Sequence, residues 1–271
     1  MKPAPFDYVR AGSLAETHDV LASEGGEAAV LAGGQSLVPL LSMRMARPKV
    51  LVDIMHVDEL ASLRVDGDAI YVGARLRQAE LLGWPELAKH QPLLAHALPW
   101  VGHWQTRARG TVCGSVALAD PSAELPLVLA ALGGHVILSS RGAHRRVPAD
   151  EFFQGIMSTA RNDDELIEAV SFPCRRNGEG YAFREFARRH GDFAIVACAA
   201  IATEKSVRLA VGGVADRPVV RDFPEVSDEA LGDFAAGLEA RDDLHATASY
   251  RRMLVCKLGA ETIAEAQACR A

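Results

Sequence analysis

The sequence predicts an α+β fold, and three observations support this prediction. Short apolar segments of strand type alternate with helical segments over residues 13–172. A polar stretch with proline and glycine follows at 173–180, as is common between domains. Beyond it, three strand patterns come before two helical ones. With 271 residues, 49% of them apolar, the chain has enough material for packed cores.

The first segments of the chain are predicted to form a helix, a strand and a glycine turn. A helix over 13–23 begins at Ser13, with Glu16 three residues later as in a capping box. Two glycines end this helix, and an apolar strand at 28–32 runs directly into a second glycine pair. Further strands are predicted at 50–54, near Arg64 and at 69–73.

Two buried helices are predicted next, at 93–101 and 123–132, with a long glycine-containing loop between them. The second helix starts after Asp-Pro-Ser at 120–122, which is typical of a helix start. Strands at 135–139 and 165–172 complete this part of the chain. After the polar stretch, strands are predicted at 181–186, 194–203 and 207–214 and helices at 227–238 and 248–268.

Composition excludes several classes of protein. The formal net charge of -6, with mixed signs along the chain, provides no basic stripe for nucleic acid and no polybasic segment for anionic lipid. No apolar run approaches the ~20 residues that span a bilayer, and the first residues lack the pattern of a secretory signal. We therefore expect a cytoplasmic protein with no nucleic-acid partner and no membrane span.

Cysteine and histidine spacing argues against a metal centre on this chain. The five cysteines are scattered and include no Cys-x-x-Cys pair, so we expect reduced thiols. An iron–sulfur cluster needs several thiolates brought together, usually from clustered positions, so any cluster is expected elsewhere. The nine histidines form no His-Glu-x-x-His or His-x-His motif.

Residues 30–37 read Val-Leu-Ala-Gly-Gly-Gln-Ser-Leu, and in them a predicted strand runs into a glycine turn. Glycines let main-chain N–H groups approach an anion closely, so a pyrophosphate is a suitable ligand for this turn. This is not the Rossmann fingerprint, because Gly-x-Gly-x-x-Gly and the later acidic residue are absent. An ordinary strand-to-loop turn is the alternative, and the segment alone leaves it open.

A second loop, at 109–126, combines small residues, hydroxyls and carboxylates ahead of a helix. Thr111 and Ser115 can donate hydrogen bonds to phosphate oxygens, while Asp120 or Glu124 can accept from ribose hydroxyls. Two such loops could hold both ends of a dinucleotide between subdomains.

Three separated motifs together resemble a known family. They are Ala-Gly-Gly-Gln-Ser-Leu at 32–37, the segment 111–126 that begins Thr-Val-Cys-Gly-Ser, and Arg-Arg-His-Gly-Asp-Phe-Ala at 188–194. In order and spacing they are similar to the medium, flavin-binding subunit of carbon monoxide dehydrogenase and of bacterial xanthine dehydrogenase relatives. The similarity runs from the segment 6–8 to the helix start at 250–252.

The resemblance implies a fold in more detail. An FAD-binding domain of the vanillyl-alcohol-oxidase (PCMH) type would occupy 1–174, in two α/β subdomains at about 1–56 and 57–174. A smaller α+β C-terminal domain, of the carbon monoxide dehydrogenase flavoprotein type, would follow at 175–271.

Matched by position, the resemblance also implies where FAD is bound. The two glycine-bearing loops would surround the pyrophosphate, with Val101 near the flavin, Glu124 on the ribose side and Ile167 at the adenine end. Arg184 would reach the flavin edge, and Phe193 would lie against the isoalloxazine. The predicted cofactor-binding residues are Val30, Leu31, Ala32, Gly33, Gly34, Gln35, Ser36, Leu37, Val101, Thr111, Val112, Cys113, Gly114, Ser115, Asp120, Glu124, Ile167 and Arg184.

The function implied is that of an FAD-binding electron-transfer subunit of a heteromeric molybdenum hydroxylase, of the xanthine, carbon monoxide, aldehyde or N-heterocycle dehydrogenase type. Electrons would come from partner iron–sulfur clusters and leave to an external acceptor. The molybdenum cofactor would lie on a large partner subunit and the 2Fe-2S clusters on a small one, in a dimer of heterotrimers. No catalytic side chain and no metal ligand are expected here. Two alternatives stay open, a free-standing FAD-dependent oxidoreductase and a flavin-free assembly subunit.

Some residues depart from the family pattern or have two interpretations. Cys113 replaces the first glycine of a pair, and filling space beside the phosphate is favoured over a reactive thiol. Trp104 replaces a common proline, and could line the flavin pocket or dock a partner subunit. Arg188 and Arg189 are either solvated charges or a positive field over the flavin. For His103 an orienting or packing role is favoured over proton transfer.

Overall fold

The computed structural model describes residues 2–270, and its first part is a small parallel sheet with the strand order β1-β3-β2. Strands β1 and β2 both pair in parallel with β3, and a helix lies in the crossover between them, as is usual for parallel strands. These elements are β1 (Asp7–Arg10), α1 (Leu14–Glu24), a 3-10 helix (Gly25–Glu27), β2 (Ala28–Leu31), α2 (Leu37–Ser42) and β3 (Val50–Asp53).

The second part is a five-stranded antiparallel sheet with the order β4-β5-β10-β6-β7, and most of its helices precede β6. The sheet places β10 in the middle, and most residues of this strand are buried. The elements are a 3-10 helix (Asp58–Leu60), β4 (Leu63–Asp66), β5 (Ala69–Gly73), α3 (Gln78–Leu82), α4 (Leu87–His90), α5 (Pro92–Ala97), a 3-10 helix (Leu98–Trp100), α6 (Trp104–Arg107), α7 (Val112–Leu118), α8 (Glu124–Leu132), β6 (His135–Ser140), β7 (Ala143–Pro148), α9 (Ala149–Phe152), the β8 (Phe153–Gly155) and β9 (Ser158–Thr159) hairpin, and β10 (Leu166–Pro173).

The third part is a four-stranded antiparallel sheet in sequence order, followed by two helices; we call this sheet the C-terminal sheet. It consists of β11 (Gly180–Phe186), β12 (Val196–Ala202), β13 (Val207–Gly212) and β14 (Val219–Phe223), and the helices are α10 (Asp228–Gly237) and α11 (Ala248–Ala268).

Both faces of the C-terminal sheet are covered, which explains the apolar sequence of β12. Helices α5 and α8 of the second part pack on one face, and α11 packs on the other. Side chains alternate accordingly: Ala197 and Ala199 belong to the core of the first two parts, whereas Cys198 and Ala200 belong to a separate core with α10 and α11. The C-terminal sheet therefore lies between two hydrophobic cores and contributes one face to each.

The predicted α+β architecture is confirmed, and the predicted strands and long helices fall within a few residues of the observed ones. At the first helix, the Ser13 hydroxyl accepts from the Glu16 N–H at 3.1 Å, as a cap should. The expected capping box is incomplete, because the Glu16 carboxylate accepts from the N–H of Gly12 instead of Ser13. No helix within residues 2–270 is both long and apolar enough to cross a membrane.

The main difference from the sequence prediction is α7, which lies where a loop is expected. Thr111 begins this helix, and its hydroxyl accepts a hydrogen bond from the N–H of Gly114 at 3.0 Å. Ala119 ends it in the left-handed conformation, at φ 53°. Val112, Cys113, Gly114 and Ser115 concealed the helix, because these residue types have low intrinsic helix propensity, for which tertiary packing compensates.

Candidate functional site

One cleft lies between the first two sheets and encloses about 500 Å³. This volume is in the range of sites that bind cofactors and other small molecules. Most of the predicted cofactor-binding residues line it. They are Val30, Ala32, Gly33, Gly34, Gln35, Ser36, Leu37, Val101, Thr111, Cys113, Gly114, Ser115, Glu124 and Ile167.

The two glycine-bearing segments, 32–37 and 109–115, meet at one side of this cleft; together we call them the glycine wall. A Cβ on Gly33 would lie 2.2 Å from the carbonyl oxygen of Arg109 and 2.7 Å from the Cα of Gly110. Gly34 has a φ of 71°, which L side chains rarely adopt. Two segments far apart in sequence therefore touch through their main chains, which only glycine permits at position 33.

Thr111 is almost fully buried in the glycine wall and is fixed from both sides. Its hydroxyl caps α7, and its carbonyl oxygen accepts from the Gln78 side chain at 3.3 Å. The next N–H, of Val112, donates to the carbonyl oxygen of Leu76 at 3.2 Å. The start of α7 is thus rigidly placed at the cleft, with small residues facing the space.

Gln78 is a lining residue that the sequence did not indicate. Its side chain is 4% exposed, and its Nε2 is used by Thr111. Its Oε1 is buried and has no hydrogen-bond partner among residues 2–270. A buried acceptor without a partner is unfavourable, so a donor from a ligand or from water is expected at this position.

Of the three acids that line the cleft, Glu165 and Asp192 form ion pairs, whereas Glu124 forms none with residues 2–270. It begins α8 and is 4% exposed. Burial is the main cause that raises the pKa of its carboxyl to about 7; a backbone hydrogen bond and the charge of Arg107 oppose this rise, and the charge of Asp120 adds to it. A carboxyl with a pKa near neutrality changes its charge in the physiological range, and so it is a candidate functional group.

At the opposite end, Ile167 lies among Leu166, Arg161 and Glu165, which the sequence analysis did not name as site residues. Arg161 donates to the Glu165 carbonyl oxygen at 2.7 Å. The Glu165 carboxylate forms a two-bond ion pair with Arg145, at 2.6 and 2.7 Å, which lowers its pKa. This end therefore combines apolar surface with a fixed guanidinium.

The open end of the cleft is formed by the segments 102–107 and 190–193, which we call the mouth. Phe193 lines the cleft there and is 60% exposed. His190 packs on Trp100, with ring centroids 4.9 Å apart. The exposed guanidinium of Arg189 pairs with Asp192 at 3.0 Å, which favours the solvated role for this arginine.

Arg107 holds the mouth together, whereas Trp104 points away from the cleft. One nitrogen of Arg107, Nη1, donates to the carbonyl oxygens of Pro99, Val101 and Gly102 at 3.2, 2.9 and 2.8 Å. Trp104 is 69% exposed and does not line the cleft. Of the two roles considered for Trp104, the position favours a surface role over a pocket wall.

The structure does not place Arg184 at the cleft, although the resemblance predicted it at the flavin edge. Its side chain lies on the α11 face of β11, where Nε donates to Glu265 at 2.9 Å and Nη1 to Glu261 at 3.4 Å. Because strand side chains alternate, the residue that faces the other side is its neighbour Glu185. An error of one residue in a strand exchanges the two faces completely.

Three other predicted residues lie beside the cleft rather than in its lining: Leu31, Val112 and Asp120. Leu31 is within β2, and Val112 is buried in the core behind α7. Asp120 accepts from the N–H of Ser122 at 2.8 Å in the turn before α8, so its carboxylate shapes this turn.

Cys113 is buried inside the glycine wall, and burial raises the pKa of its thiol to about 12. The thiol lies 3.4 Å from the carbonyl oxygen of Val72, to which it donates. A protonated, enclosed thiol is a poor nucleophile, so the packing role is the one that the geometry favours.

Comparison with known proteins identifies the class to which this cleft belongs. Residues 4–175 match the family model described as the FAD binding domain in molybdopterin dehydrogenase. The chain is 38% identical to the 6-hydroxypseudooxynicotine dehydrogenase complex subunit alpha of Paenarthrobacter nicotinovorans, over 98% of this chain and 96% of the relative. It is 31% identical to the carbon monoxide dehydrogenase medium chain of Hydrogenophaga pseudoflava, over 93% of each chain.

The solved carbon monoxide dehydrogenase from Hydrogenophaga pseudoflava superposes on this chain with a TM-score of 0.92 at 29% identity, covering 100% of both chains. The chain is therefore the flavoprotein subunit of an oxidoreductase. It belongs to the family of FAD-binding medium subunits of molybdenum hydroxylase-type dehydrogenases, and its cofactor is FAD. The expectation that molybdenum and iron–sulfur centres lie on other subunits is consistent with these relatives.

Proposed function

We propose that this chain is the FAD-binding electron-transfer subunit of a heteromeric molybdenum hydroxylase. In this role it stands between iron–sulfur clusters on a partner chain and an external acceptor. The observation that carries the proposal is the glycine wall, where Gly33 contacts the main chain of Arg109 and Gly110 at one side of a cleft of about 500 Å³. The same cleft holds Gln78 Oε1, a buried acceptor that needs a donor.

We assign the binding roles from the position of each residue along the cleft. The glycine wall would hold the diphosphate through main-chain N–H groups, and Glu124 would accept from a sugar hydroxyl. Ile167 would contact the adenine, while Val101 and Phe193 would flank the flavin ring. The cleft lies within the proposed domain 1–174, apart from Phe193 and its neighbours in the proposed domain 175–271.

The side chains of this protein would bind and orient the cofactor rather than react. FAD, when bound, supplies a carrier that accepts and releases electrons one or two at a time. The chain contributes a buried floor, made of Thr111 and Cys113, and an exposed mouth around Phe193. The burial excludes water from the diphosphate, and the exposure leaves a path to other proteins or acceptors.

A large subunit with the molybdenum cofactor and a small subunit with 2Fe-2S clusters are the proposed partners, as a dimer of heterotrimers. Large apolar side chains exposed near the cleft support a surface that a partner covers. They include Trp104, Phe193, Val38, Met43 and Met45. A cytoplasmic location is part of the proposal, supported by the five free cysteines, Cys113, Cys174, Cys198, Cys256 and Cys269.

Purification from the native source tests the proposal. We expect the chain to elute with two other polypeptides, with molybdenum and iron on those chains and one FAD on this one. The chain purified alone should bind FAD with a flavin absorbance spectrum but oxidise no substrate. Substrate turnover by the single chain would favour a free-standing oxidoreductase, and absence of flavin from the native complex would favour an assembly subunit; either result would overturn the proposal.

A further inference from the structure

Glu185 occupies a position that ordinarily disfavours a charged side chain. On β11, Tyr181 and Phe183 pack into the core of the first two parts of the chain, and Ala182 packs into the other core. Glu185 continues the row of Tyr181 and Phe183, and both of its carboxylate oxygens are buried without a hydrogen-bond partner among residues 2–270. A row of aromatic side chains therefore ends in an unpartnered acid.

Glu185 lies on the sheet face that meets the start of α8. It shares this face with Ala197 and Gly212, its partners in register on β12 and β13, and a Cβ on Gly212 would lie 3.2 Å from the carbonyl oxygen of Pro121. Burial and, to a smaller extent, the charge of Glu124 together raise the pKa of Glu185 to about 8. Glu124 is itself buried at the start of α8, the helix that packs against the C-terminal sheet. The two carboxyls thus interact across the junction between this sheet and the cleft.

No cation compensates for these two acids in the described part of the chain. Arg184 lies on the opposite face of β11 and pairs with Glu261 and Glu265. Arg107 weakly favours the charged form of Glu124, but its Nη1 is occupied by three carbonyl oxygens of the mouth. Asp120, the other charged neighbour of Glu124, disfavours that form. Two buried carboxyls without a counter-ion therefore favour their protonated forms.

We propose that Glu124 and Glu185 form a proton-binding pair in the wall of the cleft, and that FAD binding takes up a proton at this pair. The inference rests on the proposed FAD site. Glu185 does not line the cleft, so it acts as a positioning residue through Glu124. FAD brings the negative charge of its diphosphate into the cleft, and a carboxylate in the wall repels it. A proton from solvent neutralises the pair, and no electron or covalent bond is involved.

The sign of the pH dependence follows from linkage. Nearby negative charge raises the pKa of an acid, so the pair binds protons more tightly in the complex than in the free chain. FAD affinity is then highest below about pH 7, where both states hold their protons. FAD affinity falls by up to tenfold per pH unit as the pH rises through about 7 to 8, because the free chain loses its protons before the complex does.

The test is titration of FAD into the flavin-depleted full chain by calorimetry from pH 6 to 9, in two buffers that differ in ionisation enthalpy. Wild type should take up on the order of one proton near pH 8. Glu185→Gln should lose most of this uptake, and its dissociation constant should vary less with pH. The matched control is Glu204→Gln, an exposed acid in the turn between β12 and β13, which should behave as wild type.

Two results would overturn the inference while FAD still binds one to one: no proton uptake by wild type, or equal uptake by Glu185→Gln. If Glu185→Gln does not fold, Glu185→Leu, an apolar residue suited to the row with Phe183, takes its place. Absence of uptake by wild type would overturn the inference even if neither variant folds. Failure of wild type to bind FAD at all would instead refute the proposed function, and this inference with it.

Discussion

The glycine wall and the mouth are two sides of one cleft that are built in opposite ways. The wall is held by main-chain contact, with Gly33 against Arg109 and Gly110, and all its residues except Gln35 and Arg109 are buried or half-buried. The mouth is held by side chains, through the Arg107 bonds and the packing of His190 on Trp100, and Phe193 and Trp104 are exposed. The wall cannot adapt to an added atom, whereas the mouth can rearrange.

Under the proposed function, this difference fits a division of roles between cofactor binding and electron exchange. Main-chain groups can bind a diphosphate strongly only if their positions are fixed in advance. Electron exchange and partner binding require an accessible edge, where exposed side chains determine the contacts. We therefore expect substitutions in the wall to affect cofactor affinity and substitutions in the mouth to affect encounters with other molecules.

Gly33→Ala should have the largest effect on FAD affinity. The added Cβ would lie 2.2 Å from the carbonyl oxygen of Arg109, so the two segments of the wall must separate. We expect FAD affinity to fall by at least about 100-fold, together with a loss of a few kcal/mol in the free energy of unfolding. Flavin content after purification and titration of the depleted chain measure the affinity.

A matched control is Gly232→Ala in α10. No atom lies within 4 Å of a Cβ at this position, and alanine is the better helix former. The control should leave FAD affinity unchanged and should not lower stability. Equal FAD affinity in Gly33→Ala and wild type would contradict the assignment of the wall as the diphosphate site.

Glu185→Leu should have the second largest effect. This effect is on the free energy of unfolding and leaves the glycine wall unchanged. The pKa of Glu185 rises from 4.5 to about 8 on folding, so between these values the folded chain binds more protons than the unfolded chain. Its contribution to wild-type stability is full below pH 4.5 and is lost as the pH rises through about 8. At pH 8.5 the flavin-free variant should therefore be more stable by about 1–2 kcal/mol, discounted because Glu185 is only partly enclosed.

Chemical denaturation at pH 6 and pH 8.5 measures this change. The difference between variant and wild type should be smaller at pH 6 than at pH 8.5. A variant that is less stable than wild type at both values would show that Glu185 has partners that the structure does not contain.

The sequence predicted the residues of the glycine wall better than the other residues that line the cleft, for a physical reason. The turn at 30–37 and the segment 111–115 carry local patterns of small residues, and such patterns report main-chain geometry. Gln78 and Arg161 carry no such pattern, because only tertiary contacts bring them to the cleft. Arg184 was assigned by position, and the alternation of β11 places it on the wrong face.

The long helices and strands followed from apolar periodicity, with α11 predicted at its observed bounds. Short elements such as α2, α7 and β14 were missed, because a few residues give too little periodicity to recognise. The pairing of the glycine segments across more than seventy residues is non-local, and no local pattern encodes it.

Gln78→Leu tests whether the buried acceptor beside the glycine wall meets the cofactor. The change removes the orphaned Oε1 and the bond from Nε2 to Thr111. If a cofactor group donates to Oε1, FAD affinity should fall about 5- to 30-fold, equivalent to about 1–2 kcal/mol. Stability of the flavin-free chain should change less, because removing an unsatisfied acceptor offsets the lost bond. The control is Gln105→Leu in the exposed mouth, which should keep the wild-type affinity.

Trp104→Ala should have the smallest effect on the isolated chain. Trp104 is 69% exposed and does not line the cleft, so FAD affinity should stay within about twofold and stability within about 0.5 kcal/mol of wild type. Exposed tryptophans often dominate interface energies, so recovery of partner subunits by the variant should fall about tenfold or more at limiting concentration. A large loss of FAD affinity would instead place Trp104 in the pocket wall and would remove the distinction between wall and mouth.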